Sequence, residues 1–420
     1  MLVSTALVLL MTPALAFFYG GLVRSKNSLN TMMMSFVALG VVGIVWALLA
    51  YSLAFGEGNA WIGGTANALL AGVGTEAKGT IPHVLFLAYQ GTFAIITAAL
   101  ISGAVVERMR FGPYLAFIAL WTVLVYAPVA HWVWGGGWLM SRGVLDFAGG
   151  TVVHINAGIS ALVAAIVLGP RKDYTRQAIL PHNVPFVLLG AGLLWFGWFG
   201  FNGGSALAAN ELAALAFTNT LLAPMATLVV WVLLDYFRTG HATAVGGATG
   251  IVVGLVAITP AAGFVSPASA LLLGGIAALP SYFAIVYRSR TRLDDSLDVF
   301  AGHGIGGMTG ALLTGVFAQK LWNPAGADGL LAGNPAQLGV QALGVATSLV
   351  YAGVMTVVIL KLLSLVTVLR AVPKTEGVGM DVSQHGEEAY TTGEGSILVM
   401  PDLAAAGSPV AALHPHPASR

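Results

Sequence analysis

An aspartate and a histidine, Asp146 and His154, lie in residues 145–158, a stretch otherwise apolar enough to sit in lipid. An ionisable side chain at membrane depth costs roughly 2.5–3.5 kcal/mol on insertion scales, so such residues usually line a substrate path or form a buried structural pair. A partial echo of the stretch follows at residues 297–304, which contain His303. The two stretches are therefore the first candidates for chemistry in this chain.

Composition predicts an all-α polytopic membrane protein. Of the 420 residues, 57% are hydrophobic and only 8% are charged, whereas about a quarter of the residues of a soluble domain are charged. The net charge of +1 and the scattered basic residues argue against a nucleic-acid partner. The absence of cysteine excludes disulfide bonds and thiolate metal sites.

Apolar stretches long enough to cross about 30 Å of hydrocarbon predict eleven transmembrane helices in this sequence. Their bounds are expected to be accurate only to a few residues. The predicted spans are approximately 2–23, 29–55, 83–105, 113–133, 149–169, 183–201, 212–237, 241–260, 268–287, 297–319 and 339–369.

The basic residues predict the orientation of these spans. Arg24 and Lys26 follow the first apolar span instead of preceding it, which argues against a cleaved signal peptide and predicts an N-terminus outside the cell. With eleven spans, the predicted outside loops then contain only Lys78, Arg142 and Lys320 among the basic residues. Because cytoplasmic loops are enriched in Lys and Arg, this bias supports a cytoplasmic C-terminus.

The two halves of the span pattern run in opposite directions. Two inverted five-helix repeats, about 1–169 and 183–319, are predicted, followed by a last helix at 339–369. Transporters often contain inverted repeats and bind their substrates near the midplane where the halves meet. Residues 1–370 would form one transmembrane domain, and the more polar residues 371–420 a cytoplasmic tail that is disordered towards its end.

Counting along the spans places His154 in the outer half of the membrane and His303 in the inner half, near enough to meet at the midplane. Two neutral imidazoles can hydrogen-bond to each other and still contact a small polar molecule. The alternative is that each histidine is only held by a neighbouring helix. Few other ionisable residues are expected at depth, so the path suits a small solute that crosses without its charge.

Aromatic and polar residues cluster near the predicted outer mouth of this path. Phe93, Trp134, Phe201 and Ser205 are among them, and a cation over an aromatic face gains about 0.5–2 kcal/mol. An interfacial aromatic belt is the alternative explanation for any single tryptophan. Asp146 precedes a helical run, so capping of that helix is favoured over direct contact with a cation.

These residues resemble the ammonium transporter family, the Amt/Mep/Rh group, and more closely its bacterial Amt branch. The resemblance extends over nearly the whole chain. The motifs that support it are residues 17–24 with Lys26 and Asn27, residues 90–94, 146–158, 200–202 with Ser205, and 303–307.

The resemblance implies a role for each matching position. Trp134, Phe93 and Ser205 would recruit ammonium, Phe93 and Phe201 would form a gate, and Asp146 would support the site structurally and electrostatically. His154 and His303 would be the paired histidines of a pore that conducts ammonia after ammonium has lost a proton. No metal and no cofactor is expected.

The family further implies a homotrimer in the inner (plasma) membrane that takes up ammonium, with methylammonium as an analogue. A PII-type signal protein is the implied partner at the cytoplasmic face. Two rival hypotheses remain. One is an ammonium sensor that signals through its tail, and the other is a membrane enzyme that uses Asp146, His154 and His303 around a metal. No hydrolytic motif such as H-E-x-x-H is present, so an enzyme is not expected.

Overall fold

The structure is a computed structural model that describes residues 1–390. The expected disorder at the end of the tail therefore lies outside the described residues. The α-helices are α1 (Leu2–Leu22), α2 (Ser28–Val45), α3 (Tyr51–Phe55), α4 (His83–Val105), α5 (Phe111–Trp121), α6 (Ala127–Trp134), α7 (Trp138–Ser141), α8 (Asn156–Leu168), α9 (Val184–Trp198), α10 (Glu211–Thr239), α11 (Ala244–Ile258), α12 (Pro267–Arg288), α13 (Gly306–Phe317), α14 (Ala336–Val366), α15 (Pro373–Val378) and α16 (Met380–His385). Two short antiparallel strands, β1 (Ala77–Lys78) and β2 (Ile81–Pro82), form a hairpin before α4.

Several long helices contain a π-helical segment, in which each hydrogen bond spans one residue more than in an α-helix. Such segments are rare and frequently occur at functional sites. The π-helical segments are Trp46–Ala50, Thr122–Tyr126, Gly150–Ile155, Phe199–Gly203 and Phe300–Ile305. Three of them contain a candidate pore residue, namely His154, Phe201 or His303.

The predicted all-α polytopic membrane fold is confirmed. Within residues 1–390, nine helical segments are long and apolar enough to cross a membrane, and Ala244–Ile258 is a shorter apolar helix. The predicted span at 297–319 corresponds to the π-helical segment Phe300–Ile305 followed by α13, and is not among these nine segments. The count of eleven therefore stays a prediction.

Glycines allow the two histidine-bearing helices to cross in contact. A Cβ atom at Gly158 would lie 2.2 Å from the backbone nitrogen of Gly304, a distance that no side chain could occupy. In α13, the helix that continues from Gly304, a Cβ atom at Gly310 would likewise lie 2.2 Å from the carbonyl oxygen of Ala257. Small residues at helix crossings let backbones in a membrane approach closely. The chain backbone around His154 and His303 is thus placed by direct helix contact.

A buried ionic cluster joins the helix ends opposite Trp134. The Glu107 carboxylate accepts hydrogen bonds from Arg24 and Arg171, each at 2.9 Å, and Arg171 also binds Asp294 at 2.8 Å. Burial alone would raise the pKa of Glu107, but Arg171 and Arg24 lower it below its usual range. Because every buried charge has a partner, the cluster avoids the cost of an uncompensated ion.

The first part of the predicted tail packs against the beginning of α2. The Asp381 carboxylate accepts the N–H groups of Leu29 at 3.0 Å and Asn30 at 2.7 Å, and the side chain of Asn27 accepts the N–H group of Met380 at 2.8 Å. The N–H groups in the first turn of a helix have no partner within the helix. The tail therefore supplies the cap of α2 from a distant part of the sequence.

This contact predicts a pH dependence of tail docking. Burial raises the pKa of Asp381 to about 6, although the Asn30 and Leu29 N–H groups oppose the shift. A carboxyl whose pKa is higher when docked binds a proton more readily in the docked state, so docking weakens as the pH rises through about 6. Hydrogen exchange of residues 380–385 in wild type should therefore become relatively faster above that pH.

The control for this prediction is Asp381→Asn, in which the added pH dependence should disappear. Burial lowers the pKa of His385, and this histidine titrates with the opposite sign. The informative quantity is therefore the difference in exchange between wild type and Asp381→Asn. An identical pH profile in both proteins would contradict the assignment to Asp381.

Candidate functional site

Asp146 caps the π-helical segment that contains His154. One carboxylate oxygen accepts the N–H groups of Gly149 and Gly150, and the other accepts those of Thr151 and Val152, at 2.6–3.1 Å. The side chain is 6% exposed. Both carboxylate oxygens are thus hydrogen-bonded to the first turn of the helix. Asp146 therefore acts as a cap and fixes where the segment that contains His154 begins.

The second half contains a similar cap, but at Asp295. Its carboxylate accepts the N–H group of Phe300 at 2.7 Å, five residues along the chain as in the Asp146–Thr151 pair, and Asp295 precedes His303 by the same interval as Asp146 precedes His154. Asp298, which lies within the partial echo at residues 297–304, instead forms an ion pair with Arg288.

His154 and His303 contact each other in the interior of the molecule. Their Nδ1 atoms are 3.2 Å apart, and their ring centroids are 5.3 Å apart at an interplanar angle of 21°. One Nδ1 must donate and the other accept, so the neutral rings have opposite tautomers. One Nε2 atom then presents a lone pair and the other an N–H group. The pair offers one acceptor and one donor to a small molecule.

Two phenyl rings separate this histidine pair from Trp134. Phe93 and Phe201 stack with centroids 4.1 Å apart and an interplanar angle of 19°, and both are buried. The Trp134 ring lies 6.1 Å from Phe93 on one side, and the His154 ring lies 6.1 Å from Phe201 on the other. The rings thus form a continuous series from Trp134 to the histidines.

Ser205 lies beside the phenyl stack and is hydrogen-bonded to the backbone of Phe201. Its hydroxyl donates to the carbonyl oxygen of Phe201 at 2.8 Å. Because that bond uses the hydroxyl hydrogen, a lone pair of Ser205 Oγ is what remains for an incoming N–H donor. The structure therefore brings Trp134, Phe93, Phe201 and Ser205 together at one end of the histidine path.

Tyr89 also belongs to this group and was missed by the sequence analysis. Its ring centroid is 4.9 Å from that of Phe93, and its hydroxyl lies 2.8 Å from the carbonyl oxygen of Phe201 and 3.3 Å from Ser205 Oγ. Tyr89 precedes Phe93 by four residues in α4, so both face the same side of the helix. That spacing was the available signal.

Cavities differ sharply on the two sides of His303. The cavity at the histidine pair measures about 10 Å³ and is lined by apolar side chains besides the two imidazoles, which is about the room that one water-sized molecule needs. Beyond His303, a cavity of about 320 Å³ extends to Arg171, Arg288 and Asp298. Asp146, which is close to Trp134, precedes α8, and Arg171 follows α8. The larger cavity therefore opens at the end of the path opposite Trp134.

Gln341 of α14 supports the loop that contains Asp146. Its side-chain oxygen accepts the N–H group of Leu145 at 2.7 Å, and its nitrogen donates to the carbonyl oxygens of Leu145 at 2.7 Å and Ala311 at 3.0 Å. Gln341 is 1% exposed. It thereby joins the Asp146 loop to α13, the helix that follows His303.

Gln341→Leu should lower both stability and transport. It would leave a donor and two acceptors buried without partners, at a cost of about 1–3 kcal/mol for each group that water does not reach. Thermal unfolding of purified protein and substrate uptake would measure the two effects. Ser364→Ala, an exposed position on the same helix, is the control and should change neither. Wild-type stability in Gln341→Leu would contradict the supporting role.

Within residues 1–390, no group of three or more His, Asp or Glu side chains is arranged to hold a metal ion. The chemistry available along the path is that of aromatic faces, one hydroxyl and two imidazoles. It resembles a binding and conduction path more than a reaction centre.

Known proteins share this architecture. A profile of the Ammonium Transporter Family matches residues 1–390. The ammonium transporter of Bacillus subtilis is 49% identical over 388 residues, which cover 91% of this chain and 96% of that protein. Saccharomyces cerevisiae Mep2 superposes with a TM-score of 0.86 at 36% identity, covering 94% of this chain and 91% of that one. A structure described as a sensor Amt protein superposes with a TM-score of 0.84 at 31% identity, covering 91% and 96%.

The family match spans nearly all of the described residues, and the relatives are similar over almost their full lengths. The resemblance noted in the sequence is thereby confirmed. Members of the family are transporters and not enzymes. The chain therefore belongs to the Ammonium Transporter Family and is a multi-pass membrane protein that transports ammonium or ammonia.

Proposed function

We propose that ammonium binds at Trp134, Phe93 and Ser205, loses a proton before the phenyl stack, and crosses as ammonia past His154 and His303. The single observation that best supports this path is the cavity of about 10 Å³ at the histidine pair. It has room for about one small molecule and its only polar lining groups are imidazoles. A hydrated cation would not fit there.

Electrostatics favours the neutral solute. Moving a bare ammonium-sized ion from water into an apolar interior costs several kcal/mol even after relaxation, unless charged or carbonyl groups replace its hydration. The lining of the narrow cavity provides neither. Cation–π contacts at Trp134 and Phe93 lie before the stack, where the cation still meets polar groups. When the proton leaves to water between these two environments, the solute that enters the narrow cavity is neutral and avoids this desolvation cost.

The histidine pair has the hydrogen-bonding capacity that ammonia needs. Ammonia has one lone pair and three N–H groups, and the pair presents one Nε2–H donor and one Nε2 acceptor when the rings share the Nδ1 contact. Neither ring needs to become charged for ammonia to pass. Phe93 and Phe201 would act as the gate, since their stack must separate before ammonia reaches His154.

We further propose the cellular setting of the transporter. The N-terminus would lie outside and the C-terminus in the cytoplasm, since Lys and Arg are concentrated on one predicted side of the membrane. The protein would be a homotrimer of the inner (plasma) membrane. The packed tail segment, Pro373–His385, would lie at the face where a PII-type signal protein binds. Cross-linking in native membranes and pull-down with a PII-type protein would test these assignments.

Uptake of methylammonium into liposomes that contain the purified protein tests the transport path. We expect saturable uptake that depends on the protein, and a small or absent flux of potassium under the same gradient. Empty liposomes are the control. Potassium passing as readily as methylammonium would contradict conduction of a neutral solute.

Trp134→Leu should raise the KM for methylammonium more than it lowers the maximal rate. The substitution removes an aromatic face that contributes about 0.5–2 kcal/mol to cation binding, which corresponds to roughly twofold to thirtyfold in affinity. Initial uptake rates at several substrate concentrations would separate the two parameters. Trp61→Leu, at an exposed tryptophan (61% exposed) in the loop before β1, is the matched control and should behave as wild type.

A sensor is the second candidate function, because the chain superposes on a structure described as a sensor Amt protein. In that case ammonium binding at Trp134 would alter the contact between the tail and α2 without productive flux. Deletion of residues 371–420 separates the two functions. Loss of an ammonium-dependent cellular response with unchanged uptake would favour the sensor, whereas reconstituted uptake at a rate that supports growth would favour the transporter.

A further inference from the structure

His131 lies one helical turn before Trp134 in α6 and is 2% exposed. Its Nδ1 atom is 3.1 Å from the carbonyl oxygen of Ala54, and its Nε2 atom is 2.7 Å from the carbonyl oxygen of Asn59. A backbone carbonyl oxygen only accepts hydrogen bonds, and a neutral imidazole has a single N–H group. Only the doubly protonated ring donates to both oxygens.

The other histidine rings with two contacts differ from His131. His182 lies between a carbonyl oxygen and the Tyr390 hydroxyl, and His83 lies between the Tyr51 hydroxyl and a carboxylate. A hydroxyl can donate, so a neutral ring satisfies both partners in each case. In the described part of the chain, His131 alone has a carbonyl oxygen at each ring nitrogen. This arrangement selects a cation.

The end of α3 provides a favourable place for this cation. The last carbonyl oxygens of a helix lack partners within it and carry partial negative charge, which stabilises positive groups. In α3, each of the last four carbonyl oxygens has a partner beyond the helix. The Ser52 and Leu53 carbonyls accept the N–H groups of Gly56 and Gly63. The Ala54 carbonyl contacts His131, and the Phe55 carbonyl accepts from the Lys78 ammonium at 2.9 Å. The His131 ring and the Lys78 ammonium thus cap two adjacent carbonyls.

The contact between His131 and the end of α3 leaves no room for a side chain at Gly135. A Cβ atom at Gly135 would lie 2.0 Å from the carbonyl oxygen of Ala54 and 2.9 Å from Nδ1 of His131. The carbonyl oxygen of His131 in turn accepts the N–H groups of Gly135 and Gly137. The backbone that follows Trp134 is therefore hydrogen-bonded to His131, whose ring is bound to α3 and to Asn59.

We propose that His131 is a positioning residue for ammonium transport, acting as a doubly protonated imidazolium that joins the end of α3 to the end of α6 and holds Trp134 at the ammonium site. The inference rests on the proposed function of Trp134. The Trp134 indole donates to the carbonyl oxygen of Asp146 at 2.8 Å. A shift of His131 would therefore also reach the loop whose carboxylate caps the His154 segment.

No neighbouring acid neutralises the imidazolium through a direct hydrogen bond. The Asp146 carboxylate is occupied by backbone N–H groups, and Glu57 has no side-chain contact with His131 among the described residues. The titratable residues on the elements that pack against α6 are Tyr51, Tyr126 and His154. Glu57, Arg142 and Asp146 lie in the adjoining loops, and Lys78 contacts the end of α3. The two carbonyl oxygens and the end of α3 must stabilise the charge.

Solid-state NMR of the full chain with ¹⁵N-labelled histidine tests the charge directly. The His131 signal can be assigned through its dipolar coupling to a ¹³C-labelled carbonyl of Asn59, so the assignment needs no variant. We expect both ring nitrogens to be protonated at about pH 7, because each faces a carbonyl oxygen. A single protonated nitrogen at that pH would overturn the proposal.

The positioning role is tested by the KM and the maximal rate of ammonium transport, measured at one fixed pH and ionic strength. His131→Gln, which lacks this charge, should have a KM raised about twofold to tenfold, as for loss of one hydrogen bond, with the maximal rate changed much less. A wild-type KM in His131→Gln, or an equal loss in KM and maximal rate, would overturn the positioning role.

Trp132→Phe is the matched control. Trp132 donates to the carbonyl oxygen of Trp61 at 2.6 Å and so binds the same loop, but it does not contact the end of α3 through this bond. We expect it to retain the wild-type KM, and a rise of the KM in Trp132→Phe equal to that in His131→Gln would overturn the specific role of His131. An unchanged KM in Trp134→Leu would contradict the proposed ammonium site, while the NMR result would still decide the charge of His131.

Discussion

Asp146→Ala should abolish transport and destabilise the protein by on the order of 3–5 kcal/mol, as expected when a buried charge-assisted network loses one partner. Four N–H groups, those of residues 149–152, lose their acceptor, and each donor left dry costs about 1–3 kcal/mol. Because these residues begin the segment that contains His154, the histidine pair should lose its geometry as well. Thermal unfolding and methylammonium uptake would measure the two effects.

Asp146→Asn provides a graded comparison. An asparagine retains one oxygen acceptor but directs an NH₂ group towards N–H donors that need an acceptor. We expect a smaller loss of stability than in Asp146→Ala and strongly reduced transport. Asn210→Ala is the control, because Asn210 caps α10 through one exposed hydrogen bond to Ala213 and should cost only about 1 kcal/mol. Equal effects at Asp146 and Asn210 would contradict the role given to Asp146.

Replacing both His154 and His303 by Ala should change selectivity more than any other substitution along the path. Removal of two rings enlarges a cavity of about 10 Å³ enough to admit several waters, since each water occupies roughly 30 Å³. A hydrated path lowers the cost of passing an ion. We expect potassium to become permeant and ammonium transport to become a cation current.

Solid-supported-membrane currents with ammonium and potassium pulses would measure this change. His241→Ala, at an exposed histidine after α10, is the control and should retain wild-type selectivity. Full discrimination against potassium in the double variant would contradict the conduction mechanism. The single variants should fall between these limits, because one ring would still restrict the cavity.

The membrane class of the fold and the identity of the family could be predicted from the sequence. Apolar spans are local properties, since each depends on about twenty consecutive residues, and the motifs around Asp146, His154 and His303 are contiguous. The roles assigned to Trp134, Phe93, Phe201 and Ser205 came from the resemblance and stay predictions. Their assembly around one phenyl stack is a finding of the structure.

Residues that act through distant contacts could not be predicted in this way. Gln341 lies nearly two hundred positions from the loop that it supports, and Asp381 caps a helix that begins at Ser28. Nothing in the local sequence of either residue specifies its partner.

The sequence by itself thus determined that the chain crosses a membrane and that His154 and His303 are unusual, because composition and the cost of ionisable groups in lipid act residue by residue. Only the tertiary structure decided that the two rings meet at their Nδ1 atoms, that Asp295 and not Asp298 mirrors Asp146, and that His131 faces two carbonyl oxygens. Hydrogen bonds require particular distances and directions. Helix crossings between distant segments set those distances and directions.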